Sequence, residues 1–391
     1  MKVLVCNVGS TSFKAKLYEM PSSEVLAECK IERLGSDNDA IFIFHNIAGA
    51  QKLELEKQNI PDCRKAIALF FEQLVPEVLS SLDDIRRVGF KTVLAKGYYG
   101  VHELTEEVLQ GMRDRLSIAQ SHNEPYLKAI DVMRSMLPNA GLIGCFETAF
   151  HQTIPLERKM YGIPYEWYEK YEIHRMGYHG ASHSYIADVL NEKIGAEYKA
   201  ISCHLGGSCS ICAIENGKSV NTSFGMSLQT GILHSTRVGD MDCDMLLFLK
   251  EQGLSDEEIQ YGLKKNGGLL GISGVSGDLR YVQAAAEEGN MRARLAIDVF
   301  VNSIVHYIGA FFTTMGGMDI LVFTGGIGEN SSLIRELVCR KLECLGLKID
   351  FEKNIHCQGA AELELQASNI RIAVIPTNEE LGIARRTYEY V

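Results

Sequence analysis

The sequence predicts a two-domain α/β protein, and three observations support that prediction. At 391 residues the chain is longer than one hydrophobic core usually supports. Short apolar strands are interleaved with helical stretches along its whole length. A strand, a glycine-containing turn and a second strand occur twice, with the turns at residues 7–12 and 204–210. Two half-repeats of this kind indicate duplicated domains that face each other across a cleft.

The first half of the chain opens with strands and turns to helices only later. Apolar runs and period-two alternation predict that its first four strands form an antiparallel series without intervening helices. The strands predicted in this half are residues 2–6, 14–19, 24–33, 41–45, 86–94 and 141–146. The helices predicted here follow Pro61 as far as Val78 and lie near 104–116 and 125–136.

The second half repeats this order of elements. Its predicted strands are residues 199–204, 210–215, 319–324 and 371–376, and Asn216-Gly217 is a hairpin turn signal. Its predicted helices are residues 290–314, a segment after Asn330, and the C-terminal end. No low-complexity linker marks the boundary between the halves. We place one domain at residues 1–149 together with 380–391, and the other at 150–379.

Composition argues against a nucleic-acid-binding, membrane or secreted protein. A net charge of −11 gives no surface suited to nucleic acid or anionic lipid. We find no apolar run near the ~18 residues of a membrane span, and the N-terminus is too short for a signal peptide. Eleven cysteines without a secretory segment fit a reducing compartment, and the single CxxC pair, Cys209 and Cys212, lacks further zinc ligands. These features predict a cytoplasmic protein.

Three glycine-rich segments at strand ends are candidate anion sites. Asn7–Lys14 offers backbone N–H groups, hydroxyls and the Lys14 ammonium, and His204–Ser208 adds an imidazole. Thr324–Asn330 leaves an apolar strand and enters a helix, where a helix N-terminus can face negative charge. None of them is a GxGxxG or P-loop motif. Each alone is more often only a turn, but three in a duplicated architecture indicate a phosphate-binding site.

Eight motifs are specific enough to identify a family that the chain resembles. They are NVGSTSFK (7–14), FETAFHQTIP (146–155), GYHGASHSYIA (177–187), CHLGGSCS (203–210), TRVGDMD (236–242), GISGVSGDLR (271–280), FTGGIGENS (323–331) and PTNEELGIA (376–384). In this order they resemble acetate kinases, members of the superfamily of sugar kinases and actin, from end to end.

The resemblance implies an architecture and a reaction. It implies two actin-like (ribonuclease H-like) domains, each a mixed sheet flanked by helices, with an inter-domain cleft. The activity implied is reversible transfer of phosphoryl from ATP to the carboxylate of a small acid such as acetate or propionate. Mg²⁺ assists, and the products are ADP and an acyl phosphate. The resemblance also implies a homodimer formed through the second domain, with no nucleic acid or membrane partner.

The resemblance assigns roles residue by residue. Asn7 would contact the transferred phosphoryl group, Arg237 would neutralise it, and His179 would hydrogen-bond its oxygens. The catalytic set is completed by Glu147, and Mg²⁺ would be held by Glu379 and Asn7. The residues implied for the acid are Lys91, Val93, Ser121, His122, Tyr178 and Leu228. Those implied for the nucleotide are Ser10, Ser12, Lys14, His204, Gly206, Gly207, Asp278, Leu279, Arg280, Gly325, Gly326, Ile327, Gly328 and Asn330.

The sequence leaves alternative roles open for Arg237 and for the histidines His179 and His183. A generic arginine such as Arg237 is often only a surface cation, although its polar loop favours a binding role. His179 and His183 have the HxxxH spacing of a metal pair, but no third ligand is evident. For His183, packing or capping at a helix start is the favoured reading.

Several positions depart from the family pattern around the acid. Lys91 replaces an arginine, and losing one of two charge-assisted bonds would cost roughly 1–3 kcal/mol, or about 10- to 100-fold. Glu147 replaces an aspartate. Ser121, Tyr178 and Leu228 stand where the family has Leu, Phe and Pro. The two new hydroxyls favour a larger or hydroxylated acid.

The departures leave two functional hypotheses. One is an active carboxylate kinase, because the catalytic set is otherwise intact. The alternative is a nucleotide-binding homologue with a weak or decayed acid site and a regulatory or interaction role. A related alternative is that Lys96, rather than Lys91, supplies the cation. Those two positions have opposite parity on a regular strand, so one strand cannot direct both the same way unless it contains a bulge.

Overall fold

The computed structural model describes residues 1–36, 38–75 and 77–391, without the side chain of Ser121. The strands are β1 Lys2–Val8, β2 Ser12–Glu19, β3 Glu24–Glu32, β4 Ala40–Asn46, β5 Gln51–Gln58, β6 Ile85–Phe90, β7 Val101–Glu103, β8 Gly141–Cys145, β9 Lys199–His204, β10 Ser210–Glu215, β11 Lys218–Thr222, β12 Ile320–Thr324, β13 Ala361–Glu362 and β14 Arg371–Val374. The helices are α1 Cys63–Leu74, α2 Glu106–Arg113, α3 Leu116–Met136, α4 Leu156–Lys159, α5 Tyr165–Tyr171, α6 Gly180–Ile194, α7 Asp244–Glu251, α8 Asp256–Lys264, α9 Gly268–Ser273, α10 Leu279–Glu287, α11 Met291–Met315, α12 Gly325–Asn330, α13 Ser332–Lys341, α14 Phe351–Ile355 and α15 Glu379–Glu389. Short 3₁₀ turns occupy Leu82–Asp84, Ala149–Thr153 and Glu343–Leu345.

The chain divides into two compact units. Unit 1 comprises Met1–Gln152 and Asn378–Val391, and unit 2 comprises Thr153–Thr377. Unit 1 contains an eight-stranded mixed sheet in the order β5-β4-β3-β2-β1-β6-β8-β7. Strands β1 to β4 pair antiparallel in sequence, as predicted, and β5, which was not predicted, extends the series. Strand β6 lies parallel to β1, and β8 lies parallel to β6.

Unit 2 contains a six-stranded mixed sheet in the order β11-β10-β9-β12-β14-β13. Its antiparallel hairpins β9-β10-β11 are followed by β12 and β14, both parallel to β9. The order β3-β2-β1-β6-β8 in unit 1 is therefore matched by β11-β10-β9-β12-β14 in unit 2. This shared order confirms the predicted α/β class with a duplicated mixed sheet.

The C-terminal helix α15 belongs to unit 1 and contacts β1, β6 and β8. A side chain at Gly89 on β6 would collide with Thr387 of α15, so glycine permits the close approach of helix and sheet. The Arg87 guanidinium donates to the carbonyls of Thr387 and Tyr388, at 2.9 Å each, and to that of Tyr390. It thereby satisfies carbonyls that a helix C-terminus leaves unpaired.

The other cover of unit 1 is formed by α1 and α3. Helix α1 begins after Asp62, whose carboxylate caps it by accepting from Lys65 N, and ends at Leu74. Alternate residues of β1, among them Leu4 and Cys6, join the hydrophobic core to which both helices contribute. The sheet that carries the first glycine turn is thus packed against helices and fixed in position.

Helix α11 is the central packing element of unit 2. Its nine buried residues include Ala296, Phe300 and Ile304, and it contacts α9, α10, α13 and the sheet. By length and hydropathy alone α11 also meets the criterion for a membrane span, with 39% of the relevant window buried. The statement that no apolar run approaches span length is therefore wrong for this segment. Because the helix supplies core residues of unit 2, we interpret it as a core helix.

Candidate active site

The first glycine turn closes the β1–β2 hairpin in unit 1. Gly9 donates its N–H to Ser12 O at 2.8 Å, and Asn7 lies opposite Lys14 in the strand register. Ser10 and Lys14 are exposed and Ser12 is half-buried. The turn therefore presents two hydroxyls and an ammonium group to solvent beside Asn7, which suits an anion.

The side chain of Asn7 is oriented by Tyr126 of helix α3. The Tyr126 hydroxyl donates to Asn7 Oδ1 at 3.1 Å and accepts from Val8 N at 3.2 Å. Burial raises the pKa of Tyr126, against a lowering effect of Lys91, so the hydroxyl remains a proton donor. With Oδ1 engaged, the Asn7 amide N–H groups are the donors available to a phosphoryl oxygen. Sequence reasoning missed Tyr126, which no motif marks.

Lys91, Glu147 and Glu379 form a buried charged cluster in unit 1. Lys91 Nζ lies 2.5 Å from Glu379 Oε2 and 4.0 Å from Glu147 Oε1. The exposed fractions of the Lys91, Glu379 and Glu147 side chains are 19%, 14% and 4%. Burial alone would lower the pKa of Lys91, but the two carboxylates raise it above its usual value. The predicted acid anchor and the predicted Mg²⁺ ligand are thus ion-paired with each other.

The predicted strand 86–94 is too long, because β6 ends at Phe90. Beyond it the chain is irregular, with only an isolated bridge between Ala95 and Tyr98. Lys91 and Lys96 therefore both lie beyond the strand, and strand parity does not determine their directions. Lys96 is exposed, whereas Lys91 is directed into the carboxylate cluster.

The remaining acid-binding residues predicted in unit 1 lie after β6 and on α3. Val93 is 7% exposed, and His122 is half-buried on α3. The side chain of Ser121 lies outside the described atoms. Helix α3 begins at Leu116 rather than near residue 125, and its backbone departs from helical geometry at Ala119. Residues 121 and 122 therefore lie just after a kink.

Three histidines and two serines form a cluster of hydrogen bonds and ring contacts in unit 2. His179 precedes α6 with a left-handed φ of 58°, a strained conformation typical of functional positions. Its Nδ1 lies 2.8 Å from Ser210 Oγ, and His183 Nε2 lies 2.8 Å from the same oxygen. The His204 ring centroid is 4.2 Å from that of His179, and His204 Nδ1 lies 2.9 Å from Ser182 Oγ.

Arg237 is held by the backbone rather than by a carboxylate. Its Nη1 donates to Leu228 O at 2.7 Å, and burial lowers the pKa of its guanidinium. No aspartate or glutamate in the described part of the chain pairs with it. A half-buried cation without a carboxylate partner is suited to receive an anionic ligand.

Two residues predicted for the acid pocket, Tyr178 and Leu228, lie in the same unit as Arg237. Both are buried, and the Tyr178 ring packs edge-on against Phe224. The Tyr178 hydroxyl donates to Met226 O at 2.6 Å. Because the backbone satisfies this hydroxyl, Tyr178 does not demand a polar substrate, and the argument for a hydroxylated acid loses one of its two supports.

A cavity of about 670 Å³ in unit 2 brings together most of the predicted nucleotide residues. This volume lies within the range usual for small-molecule sites. Predicted residues that line it are Gly206, Gly207, Asp278, Leu279, Arg280, Gly326, Ile327 and Asn330. Further lining residues, which sequence reasoning missed although they lie in or near its motifs, are Ser235, Thr236, Gly277, Gln283 and Ser331. Among the residues of unit 2 predicted for the nucleotide, those absent from the lining are His204, Gly325 and Gly328.

The third glycine segment is a short helix rather than a turn. Residues Gly325–Asn330 form α12, and the predicted helix after Asn330 starts at Ser332. Gly325 adopts φ +77°, and a side chain there would approach Leu205 O to 2.7 Å. Its role in the structure is therefore backbone geometry. At Gly326 an added Cβ would meet no atom within 4 Å.

Helix α12 is held from behind by the buried Arg335, which sequence reasoning also missed. Arg335 Nη1 donates to the carbonyls of Gly328 and Glu329 at 2.9 Å each. Its Nε and Nη2 donate to the side chain and backbone of Asn354 at 2.8 and 3.0 Å. These bonds satisfy carbonyls at the end of α12 and so fix the helix that lines the cavity.

His234 lies behind the loop of Arg237 as a neutral ring. It is fully buried, stacks on Phe224 and accepts the N–H of Cys209 at 3.0 Å through Nδ1. Nε2 lies 3.3 Å from Thr230 O and so carries the proton. Burial first, and the charge of Arg237 second, lower the pKa of His234 to about 3.

We expect His234 to weaken the protein as pH falls below about 6.5. Between that pH and about 3 the unfolded state binds a proton that the folded state does not. The free energy of unfolding should therefore decline by about 1.4 kcal/mol per pH unit in this window, and the full contribution is present above it. Urea unfolding of wild type and His234→Asn across this window measures the difference. Parallel curves for the two proteins would contradict the prediction.

Known proteins similar to this chain share its whole length. A sequence model of the Acetokinase family matches residues 2–385. Acetate kinases of Treponema denticola and Dictyoglomus thermophilum are 39% and 42% identical over 399 residues. All of this chain is covered in each case, with 100% and 99% of the relatives.

Solved structures agree with the sequence relatives. The crystal structure of Porphyromonas gingivalis acetate kinase superposes with a TM-score of 0.88 at 36% identity, covering 99% of this chain and 98% of that one. A propionate kinase from Francisella tularensis superposes with a TM-score of 0.91 at 31% identity and full coverage of both chains. The match extends over both units.

Proposed function

Because the chain belongs to the acetokinase family, we propose that it transfers phosphoryl from ATP to acetate, propionate or a slightly larger acid. Family membership makes it a carboxylate kinase. The finer proposal is that the reaction is reversible and Mg²⁺-dependent and yields ADP and an acyl phosphate. The observation that carries it is Arg237, a half-buried guanidinium without a described carboxylate partner.

The chemistry proposed for each residue follows from its environment. Phosphoryl transfer needs positioned donors and charge stabilisation rather than an elaborate covalent apparatus. We assign charge neutralisation to Arg237, and donation to phosphoryl oxygens to the Asn7 amide and the His179 ring. The nucleotide would occupy the cavity of unit 2, with its base and ribose against Gly326 and Asp278. The acid would bind beside Lys91 and Val93.

Glu379 fits the role proposed for it toward Mg²⁺. It offers carboxylate oxygens, which Mg²⁺ prefers, and kinases commonly hold the ion through one or two carboxylates plus substrate phosphates. Glu379 Oε2 accepts from Lys91, and Asn7 Oδ1 retains one lone pair beside its bond to Tyr126. Bound there, Mg²⁺ would neutralise phosphate charge. Lys91 would hold the Glu379 carboxylate in position.

The alternative function is a nucleotide-binding homologue with little catalysis. The Lys91–Glu379 pair favours it, because the cation expected to anchor the acid already has a partner. A hydroxamate assay with acetate, propionate, butyrate and a hydroxy acid, run beside an ATP-binding measurement, separates the two. Acyl phosphate from any of these acids supports the kinase. Tight ATP binding with no product from any acid would support the alternative.

Gly326→Val should weaken ATP binding while leaving the fold intact. The new side chain would enter open cavity space, so it would occupy room that we assign to the nucleotide. A steric cost of about 1–3 kcal/mol corresponds to roughly 10-fold weaker binding or more. Calorimetric titration with ATP measures the change. Gly262→Val, also at an open glycine, is the control, and unchanged ATP affinity in Gly326→Val would place the nucleotide elsewhere.

We further propose a cytoplasmic homodimer. All eleven cysteines are free thiols, as a reducing compartment would keep them. Helix α11 exposes Met291, Leu295 and Val299, with exposed fractions of 74%, 52% and 36%. Their spacing places them on one helix face, and an apolar stripe of this kind suits a second copy of the chain.

Leu295→Glu should convert the dimer to a monomer, because it would bury an unpaired carboxylate in the contact. Sedimentation equilibrium at micromolar concentration measures the mass. Leu156→Glu is the matched control, because Leu156 is 48% exposed in the same unit but lies outside α11. A wild-type monomer, or a dimer that Leu295→Glu leaves intact, would contradict the proposed contact.

A further inference from the structure

The Ser210 hydroxyl lies between two imidazole nitrogens. Its Oγ is 2.8 Å from His179 Nδ1 and 2.8 Å from His183 Nε2. A hydroxyl carries one proton, and the described residues give Ser210 Oγ no other acceptor, so it donates to one ring and accepts from the other. The protonation of His179 Nδ1 is therefore the opposite of that of His183 Nε2.

The chain of hydrogen bonds that links His179, Ser210 and His183 extends one residue further into the core. His183 Nδ1 lies 3.0 Å from Ser202 Oγ on β9, and His183, Ser202 and Ser210 are all buried. In one arrangement the protons run outward: Ser202 donates to His183, His183 to Ser210, and Ser210 to His179. His179 then carries its proton on Nε2. In the reverse arrangement His179 donates through Nδ1, and a neutral ring has only a lone pair on Nε2.

The three histidine rings lie close together. The His179 and His204 centroids are 4.2 Å apart, and His183 lies 6.3 and 6.5 Å from them. Imidazolium rings at this spacing would repel each other, which disfavours charge on more than one of them. A neutral His179 ring carries one proton, and the direction of the serine–histidine chain determines whether that proton lies on Nδ1.

We propose that Ser210, supported by His183 and Ser202, is a positioning residue that holds His179 in its Nε2–H tautomer. This inference rests on the proposed function, in which His179 donates to a phosphoryl oxygen. Such oxygens accept hydrogen bonds only, so the Nδ1–H tautomer would turn a lone pair toward the anion. The outward arrangement supplies the donor before substrate arrives, as electrostatic preorganisation requires.

Histidine-labelled protein tests the tautomer directly. Long-range ¹H–¹⁵N correlation spectra distinguish Nε2–H, Nδ1–H and doubly protonated rings, and the spectrum of His179→Asn identifies the His179 signals. In the wild type we expect Nε2–H at His179, and in Ser210→Ala a mixture that includes Nδ1–H. Ser219→Ala removes another buried serine hydroxyl in the same sheet, which contacts Cys212, and should leave the His179 signals unchanged.

Kinetics supply the second readout. Ser210→Ala should lower kcat by roughly 10- to 100-fold with KM for ATP and acid close to wild type. Ser210→Thr, which restores the hydroxyl, should recover most of the loss. A wild-type His179 protonated on Nδ1 or on both nitrogens, or a tautomer unchanged in Ser210→Ala, would overturn the inference. Because the spectra need no turnover, absence of acyl phosphate would count against the proposed function alone.

Discussion

Arg237→Ala should lower kcat by roughly 100- to 1000-fold, the usual consequence of removing a charge contact made in the transition state. The guanidinium is half-buried, bonded to Leu228 O and without a carboxylate partner in the described residues. Its charge is therefore available to the phosphoryl group that we propose it contacts, whose negative charge is spread over three oxygens. KM for ATP and acid should change much less. Steady-state kinetics with the best acid of the panel measure both quantities.

Two companion variants show whether charge or geometry matters. Arg237→Lys keeps the charge but loses the planar fork, so partial activity should remain. Arg292→Ala removes another guanidinium that donates to backbone carbonyls in unit 2, and kcat should stay near wild type. Asn7→Ala should resemble Arg237→Ala. A normal kcat with only a raised KM in Arg237→Ala would mean that the residue binds ground state and transition state alike.

Lys91→Met should nearly abolish acyl phosphate formation. It removes the cation that lies 2.5 Å from Glu379 and 4.0 Å from Glu147, and both carboxylates are largely buried. Breaking such a pair typically costs about 3–5 kcal/mol, because it leaves uncompensated buried charge. Thermal unfolding must therefore accompany the kinetic assay. Lys96→Met removes an exposed lysine nearby and should change little, whereas full activity of Lys91→Met would show that the acid is not held there.

The reverse change should improve acetate kinase activity. Lys91→Arg combined with Glu147→Asp introduces a fork that can bond Glu379 and still offer N–H groups to the acid. We expect acetate kinase activity to rise by about 10- to 100-fold, which is the factor estimated for the loss of one charge-assisted hydrogen bond. The double variant is compared with Lys91→Arg alone at saturating ATP. No gain in either protein would mean that a lysine at position 91 does not limit activity toward acetate.

The strands that sequence predicts well are those with apolar or β-branched alternation, such as β1, β2 and β12. β5 escapes detection because its sequence, QKLELEKQ, is mostly polar or charged and is exposed at a sheet edge. β7 is only three residues long, too short for any periodicity. Element type therefore follows from local pattern where one face is buried, and is lost where pairing alone defines the strand.

The motifs mark positions in the candidate site but not the partners that orient them. Tyr126 reaches Asn7 across 119 residues, and Lys91 reaches Glu379 across 288. Ser210 on β10 contacts two histidines at the start of α6, and strand β9 lies between them in the sequence. Such contacts depend on tertiary packing, which no local pattern encodes. A glycine motif, by contrast, predicts the backbone that it shapes, as at Gly325, although not that this segment is helical.

The membership of α15 in unit 1 has a consequence for how the polypeptide is synthesised. The ribosome releases every residue of unit 2 before Asn378–Val391, which complete unit 1. Until then β1, β6 and β8 lack their α15 contacts, and Lys91 lacks the carboxylate of Glu379. The N-terminal sheet therefore remains without helix α15 while some 225 intervening residues are translated. Unit 2 is continuous and can fold first, so nascent chains that stall late would expose the N-terminal sheet to chaperones.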